Sequence, residues 1–199
     1  MKRAPRGSQA AKQWLAFFRN HRETVAAIDF FTLPTITFRM FYCFFVISHK
    51  RRRIVHFNAT RRLTSQRVLQ QLREAFLFQS APRYLILDHD AKYGMQVPVA
   101  ARSLGMKPVR TSFEGPWQNG VAEQWVESCR RDPLDPIISM NELPLKRLLA
   151  EYVHYYHEDR TRLGLGKGTQ SGRIGSRASG PILSGEQLGG LHHRYDRTA

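Results

Sequence analysis

The sequence predicts an α/β fold, a mixed five-stranded sheet flanked by helices. Three observations lead there. Segments with the alternation or continuous apolar character of strands come first, and further strands then alternate with segments of helical period. The most apolar stretch, residues 39–48, is one strand long. Its uninterrupted apolar run, residues 40–47, has 8 residues, whereas a membrane-spanning helix needs roughly 20. Finally, 42% apolar residues in a chain of 199 supply a core, which excludes wholesale disorder.

Taken in order, residues 1–20 are a polar, basic N-terminal segment with weak patterning. Residues 21–160 carry the periodic signal. There, residues 24–31 (TVAAIDFF) form a short β-branched and aromatic run, and residues 39–48 (RMFYCFFVIS) suit a strand covered on both faces. Residues 49–53 (HKRRR) make a basic turn, and residues 53–60 alternate as a third strand, so these three are expected to pair as an antiparallel meander. A helix follows, with Thr64 or Ser65 as N-cap and Val68, Leu69, Leu72 and Phe76 on its apolar side. Residues 84–87 (YLIL) are a fourth strand running into Asp88, expected to return parallel to the first through a right-handed crossover. Residues 97–104 read as a short helix stopped by Gly105, residues 107–113 as a fifth strand, and residues 114–120 as a loop. Residues 121–131 form a helix with Val121, Ala122, Trp125, Val126 and Cys129 inward, ended by Pro133 and Pro136. The last helix, about 142–158, shows a stripe from Leu145 to Tyr156. Residues 161–199 hold nine of the fourteen glycines and read as a Gly-rich flexible C-terminal tail.

Charge narrows the partner. With 31 Lys and Arg against 16 Asp and Glu, the formal net charge is +15. Nucleic acid is the first polyanion to consider, because phosphates bind such cations with release of counterions. A membrane surface ranks second, and no basic amphipathic helix stands out for it. The N-terminus lacks the apolar core of a secretory signal. Cys43 and Cys129 are too few for a disulfide framework or a zinc site and read as reduced core residues.

Acids are scarce, so their positions inform. Asp29 lies in the middle of the first apolar strand, Asp88 ends the fourth, and Glu123 begins a helix after a Gly-containing loop. A carboxylate in a core strand is costly to ionise unless something positive neutralises it. A divalent cation would do so, and Mg²⁺ takes hard oxygen ligands while keeping several waters. Each acid also has a plain structural reading. Asp29 could be hydrogen-bonded within the core, Asp88 and Asp90 could be turn residues, and Glu123 could be a first-turn acid favoured by the helix dipole.

Taken together, the sequence ID at 28–29, LDHDAKYG at 87–94 and GPWQNGVAEQWVES at 115–128 resembles the three catalytic blocks of DDE transposases and retroviral-type integrases. There are 34 residues between Asp88 and Glu123, close to the spacing of that family. AIDFFTLPTITFRMFY, SHKRRRIVHFN and the terminal GGLHHRY at 189–195 are similar to insertion-sequence transposases with an integrase core. The resemblance implies a ribonuclease H-like fold and an integrase-type catalytic core over residues 21–160. It implies that Asp29, Asp88 and Glu123 are both the catalytic residues and the ligands of two Mg²⁺ (or Mn²⁺) ions, with Asp29 bridging. The implied reaction is metal-dependent DNA phosphodiester cleavage and strand transfer. Double-stranded DNA, as transposon ends and target, is the implied partner of a homo-oligomer that is cytoplasmic and nucleoid-associated when bound to DNA. Gln118, Asn119 and Gly120 would sit over the scissile phosphate.

Further DNA contacts are open to either of two readings. Arg130 and Arg131, two helical turns beyond Glu123, suit backbone phosphates or plain solvent. The same holds for Lys50, Arg51, Arg52 and Arg53 in their turn. His154 and His157 read as surface histidines, and Trp117 as packing ahead of base stacking. Three features set this sequence apart from the family, one of them that Asp132-Pro133 and Pro136 interrupt a helix end that relatives extend differently. Relatives carry a helix-turn-helix region ahead of the core, and they have Arg where Gln124 follows Glu123. Two alternatives therefore stand beside the active core: a truncated or decayed remnant that binds DNA without catalysis, and a metal-dependent nuclease of the same fold.

Overall fold

The β-branched and aromatic runs of the sequence find one another in a single sheet. Val25–Pro34 (β1), Met40–Ser48 (β2) and Arg53–Thr60 (β3) pair antiparallel in succession. Tyr84–Leu87 (β4) lies parallel to β1 and Lys107–Arg110 (β5) parallel to β4, which gives the order β3-β2-β1-β4-β5. The computed structural model describes residues 6–35, 39–77, 81–88, 95–111, 119–131, 142–161, 168–173 and 179–198. The mixed five-stranded α/β architecture expected from the sequence is present. β1 extends to Pro34, three residues past its expected end, because β2 continues to pair with it as far as Met40. β5 ends at Arg110, and residues 112 and 113 of the expected strand lie outside the described residues.

Helices cover both faces. Ser65–Ala75 (the second helix, α2) starts at the N-cap Thr64, whose hydroxyl accepts a hydrogen bond from the Arg67 amide at 3.3 Å. With Gln96–Ser103 (α3) it packs on Ile28, Phe44, Val46, Leu85 and Leu87. Gly105 closes α3 with φ +79°, donating to the Arg102 carbonyl while Met106 donates to that of Ala101. This paired closure requires a left-handed residue, which glycine supplies without a Cβ penalty. On the other face, Gly120–Cys129 (α4) and Glu142–Glu158 (α5) bury Trp125, Cys129, Leu145, Leu149, Tyr152 and Tyr156 against Ala27, Phe31 and Phe45. Trp125 stacks edge-on to Tyr156, with ring centroids 4.5 Å apart. Ser128 Oγ and Tyr152 Oη share a hydrogen bond, and Arg160 donates to Ser128 Oγ at 2.5 Å, so α4 is tied to α5 by polar as well as apolar contact.

Two segments differ from expectation. Residues 1–20, read as weakly patterned, contain most of Arg6–His21 (α1). Trp14, Phe17, Phe18 and His21 recur at i, i+3, i+4 and i+7, and Phe17 and His21 meet Tyr84 while Phe18 stacks on His49 at 4.8 Å. Within residues 161–199, read as a flexible tail, Ile182–Gln187 (β6) and His192–Arg197 (β7) form a hairpin. Its turn uses Gly189 and Gly190 at φ +65° and +90°, so glycines there serve turn geometry. The hairpin is fastened to the end of α5. Arg173 donates to Asp159 at 2.8 Å and to Asp196, and His192 stacks on Tyr155 at 4.4 Å. His157, expected on the surface, is buried and its Nε2 accepts from the Ile54 amide at 2.9 Å, whereas His154 is exposed. Cys43 and Cys129 are free and buried, as expected.

Candidate active site

The parallel pairing of β1 and β4 puts two acids side by side. Ile28 pairs with Leu87, so Asp29 and Asp88 are the next residues along neighbouring strands, which run about 4.8 Å apart. Val25, Ala27 and Phe31 belong to the core under α4 and α5. Asp29 occupies the intervening position of that same alternating row, so it faces α4. Asp29 is half-buried, while Asp88 and Glu123 are exposed to solvent.

Each aspartate is held from a buried neighbour. Thr111 Oγ1 donates to Asp88 Oδ1 at 2.8 Å, and the Thr111 amide in turn donates to the Leu87 carbonyl at 3.0 Å. Asn119 Nδ2 donates to Asp29 Oδ2 at 3.2 Å, and the Phe30 amide donates to Asp29 Oδ1 at 2.8 Å. Asn119 stands at the N-cap of α4, yet its side chain makes no capping bond. Its amide is used on Asp29 instead, and its Oδ1 is buried with no hydrogen-bond partner among the described residues.

Glu123, in the first turn of α4, completes the group electrostatically. Its carboxyl is pushed above its ordinary range, first by burial and next by the negative charge of Asp88. Asp29 and Glu123 line one cleft of about 530 Å³, together with Phe30, Glu127, Arg130 and Arg131. Arg131 lies 3.9 Å from Glu127 across an exposed pair. Among the described residues, no three His, Cys, Asp or Glu side chains are drawn together tightly enough to cage a metal ion as they stand.

The other residues singled out in the sequence fall into separate places. Gly120 opens α4, and Gln118, Asp90, Trp117, Pro133 and Pro136 lie outside the described residues. Lys50, Arg51, Arg52 and Arg53 occupy the β2–β3 turn and the opening of β3, near the start of β1. There Lys50 pairs with Glu23 at 2.7 Å. Arg51 donates to the carbonyls of Gln170 and Thr169 at 2.5 and 3.0 Å, and Arg52 donates to Gln124 at 2.8 Å. Thr111 was not singled out in the sequence. Its one signal there was its place within the expected fifth strand, residues 107–113.

The sheet order 3-2-1-4-5 with helices on both faces is that of the ribonuclease H-like fold of integrase catalytic cores. Comparison with solved structures bears this out. The chain is similar to a simian T-cell lymphotropic virus intasome chain (TM-score 0.64, 12% identity, 87% of this chain and 66% of that one). It is also similar to an HTLV-2 integrase catalytic core domain solved with magnesium in dimeric form (TM-score 0.59, 10% identity, 75% of this chain and 94% of that one). In sequence it is similar to the InsD transposases of Escherichia coli (strain K12) for insertion elements IS2E and IS2D, 33% identical over 66 residues in each case. That stretch is 33% of this chain but only 30% and 22% of those relatives, so the match spans less than a third of either. No protein-family model matches the chain.

Proposed function

We propose that this chain is a transposase catalytic core that cleaves DNA phosphodiesters and transfers strands with divalent metal, its core formed by residues 21–160. The observation that carries the proposal is the in-register pair Asp29 and Asp88, with Glu123 close enough for Asp88 to disfavour its ionisation. That donor set fits Mg²⁺ or Mn²⁺. It is made of hard carboxylate oxygens, it is open to solvent, and its mutual repulsion is relieved by a cation. Asp29, Asp88 and Glu123 would hold two ions. When bound, the metal supplies a water of lowered pKa and stabilises the leaving oxygen of an in-line displacement.

The chain's own residues supply the rest. Thr111 and Asn119 fix the two aspartates so that their oxygens need not reorganise. Arg130 and Arg131 border the cleft, where they suit the phosphates flanking the scissile bond. Gln118, Asn119 and Gly120 would pass close to the DNA at the start of α4. The partner is double-stranded DNA, transposon ends and target, held by a homo-oligomer. The protein would act in the cytoplasm, associated with the nucleoid when bound to DNA. Among the described residues no helix is long and apolar enough to cross a membrane.

A second reading, a remnant that binds DNA without cutting it, is favoured by Gln124, which follows Glu123 where the resembling family has Arg and accepts from Arg52. One assay separates the two. Duplex oligonucleotides or nicked plasmid are incubated with Mn²⁺, with Mg²⁺ and with neither, using the wild type and Asp88→Asn. Metal-dependent cutting that disappears in Asp88→Asn supports the active core. Binding without cutting under any metal supports the remnant.

A further inference from the structure

The ends of β1 and β4 away from the carboxylates carry the opposite charge. Arg83 immediately precedes β4, and the β2–β3 turn carries Lys50 and Arg53 beside the first residue of β1, where His49 donates to the Val25 carbonyl. A groove of about 400 Å³ opens between them, with four cations, Lys50, Arg51, Arg53 and Arg83, to one carboxylate, Glu23, in its lining. Asp29 lies four residues beyond Val25, and Asp88 four beyond Tyr84. At 3.3 Å per residue that is roughly 13 Å along the sheet, too far for one phosphate to reach both places.

The cations differ in their commitments. Arg51 is spent on the Gln170 and Thr169 carbonyls and holds the C-terminal segment in place. Lys50 pairs with Glu23, but that pair is exposed and yields readily to a competing anion. Arg83, exposed just before β4, holds its guanidinium over the Tyr84 ring, 5.4 Å from the centroid. Arg53 is exposed at the opening of β3. Two planar guanidinium forks and a lysine along a groove floored by Val55 and Pro82 match a row of phosphate oxygens with apolar sugar between them.

We propose that this groove is a second DNA contact, an anchor in which Lys50, Arg53 and Arg83 grip the duplex backbone away from the scissile phosphate. The proposal rests on the reading of the chain as a DNA transposase core for the choice of occupant. It assigns the groove to affinity and the carboxylates to chemistry.

The test is fluorescence anisotropy with a labelled random-sequence duplex, titrated across a series of salt concentrations. The proteins are the wild type, Arg53→Glu/Arg83→Glu, Arg53→Lys/Arg83→Lys and Asp88→Asn. The charge reversal is expected to weaken binding tenfold or more, and to flatten the salt slope by about two units, one for each lost phosphate contact. The double lysine variant retains most of the affinity, and Asp88→Asn serves as the cutting-deficient control. Thermal melting confirms that all four are folded. Wild-type affinity and slope in the charge reversal would overturn the anchor, as would polyglutamate competing as well as unlabelled duplex. Cutting by the same wild-type sample is scored in parallel. A groove-dependent slope without any metal-dependent cutting supports the anchor while the transposase reading falls. Cutting with a groove-independent slope does the reverse.

Discussion

Asp29 and Asp88 each give one oxygen to a buried neighbour, and those neighbours set how the site behaves. Thr111→Val removes the donor to Asp88 Oδ1 while keeping the side chain's shape. A partner behind a metal ligand is commonly worth roughly 10–100-fold in activity, so single-turnover cutting should slow by about that factor. Thr111→Ser should cut at near wild-type rate, and a valine variant that cuts as fast as the wild type would contradict the role. Glu123 gives a second residue-scale prediction. Its folded-state carboxyl titrates above its ordinary value of 4.5. As pH rises past that value the unfolded chain releases its proton first, so the metal-free fold loses stability until the raised value is passed. Glu123→Gln should remove this loss and melt higher than the wild type at neutral pH without metal. Millimolar Mg²⁺ should raise the wild type's melting temperature and leave the variant's nearly unchanged, because only the folded, charged site binds the ion.

At the scale of elements, two buried histidines couple the packing of α1 and α5 to acid. His49, stacked on Phe18 of α1, is lowered to about 4, first by burial and then by the charges of Arg52 and Arg22. His157 of α5 is likewise lowered to about 4, first by burial and then by Arg53, opposed by Glu158. Both are neutral in the fold and ordinary in the unfolded chain, with a value near 6.5. The stability they contribute is therefore complete above pH 6.5 and is lost as pH falls toward 4. His49→Phe/His157→Gln keeps an acceptor for the Ile54 amide and removes both titrations. Its denaturation midpoint should fall less between pH 6.5 and 4 than that of the wild type, and an identical fall would count against the assignment. The strands and α2 to α5 were legible because each carries one unmixed period between clear breakers. The first helix was not, since its aromatic spacing from Trp14 to His21 is diluted by Arg, Lys and Gln on the remaining faces. The β6–β7 hairpin was hidden because glycine content alone does not distinguish a mobile segment from a Gly-Gly turn; a tertiary fastening, Asp159 to Arg173 to Asp196, decides between them. Of the candidate site, the three acids stood out because acids are scarce in this chain and Asp29 lies within an apolar strand. The grip of Asn119 on Asp29 depends on which way one side chain turns across 90 residues of sequence, and no local pattern records that.

At the scale of the molecule, Arg130 and Arg131 border the acidic cleft and Lys50, Arg51, Arg53 and Arg83 line a second groove, within a chain of net charge +15. Binding to duplex DNA should therefore weaken steeply as salt rises, since each neutralised phosphate adds about 0.9 to the slope. A flat response between 50 and 200 mM salt would contradict a backbone-gripping surface. Trp125 holds α4, and with it Glu123, against the sheet and α5. Trp125→Ala should cost about 3–5 kcal/mol in chemical denaturation and disable the site along with the fold. The central claim is that residues far apart in sequence meet to share divalent ions, and calorimetric titration with Mn²⁺ addresses it without any DNA substrate. The wild type should bind the ion saturably, and Asp29→Asn, Asp88→Asn and Glu123→Gln should each weaken or abolish that binding while still melting cooperatively. The same isotherm in all four proteins, or no heat of binding in the wild type at millimolar metal, would contradict it.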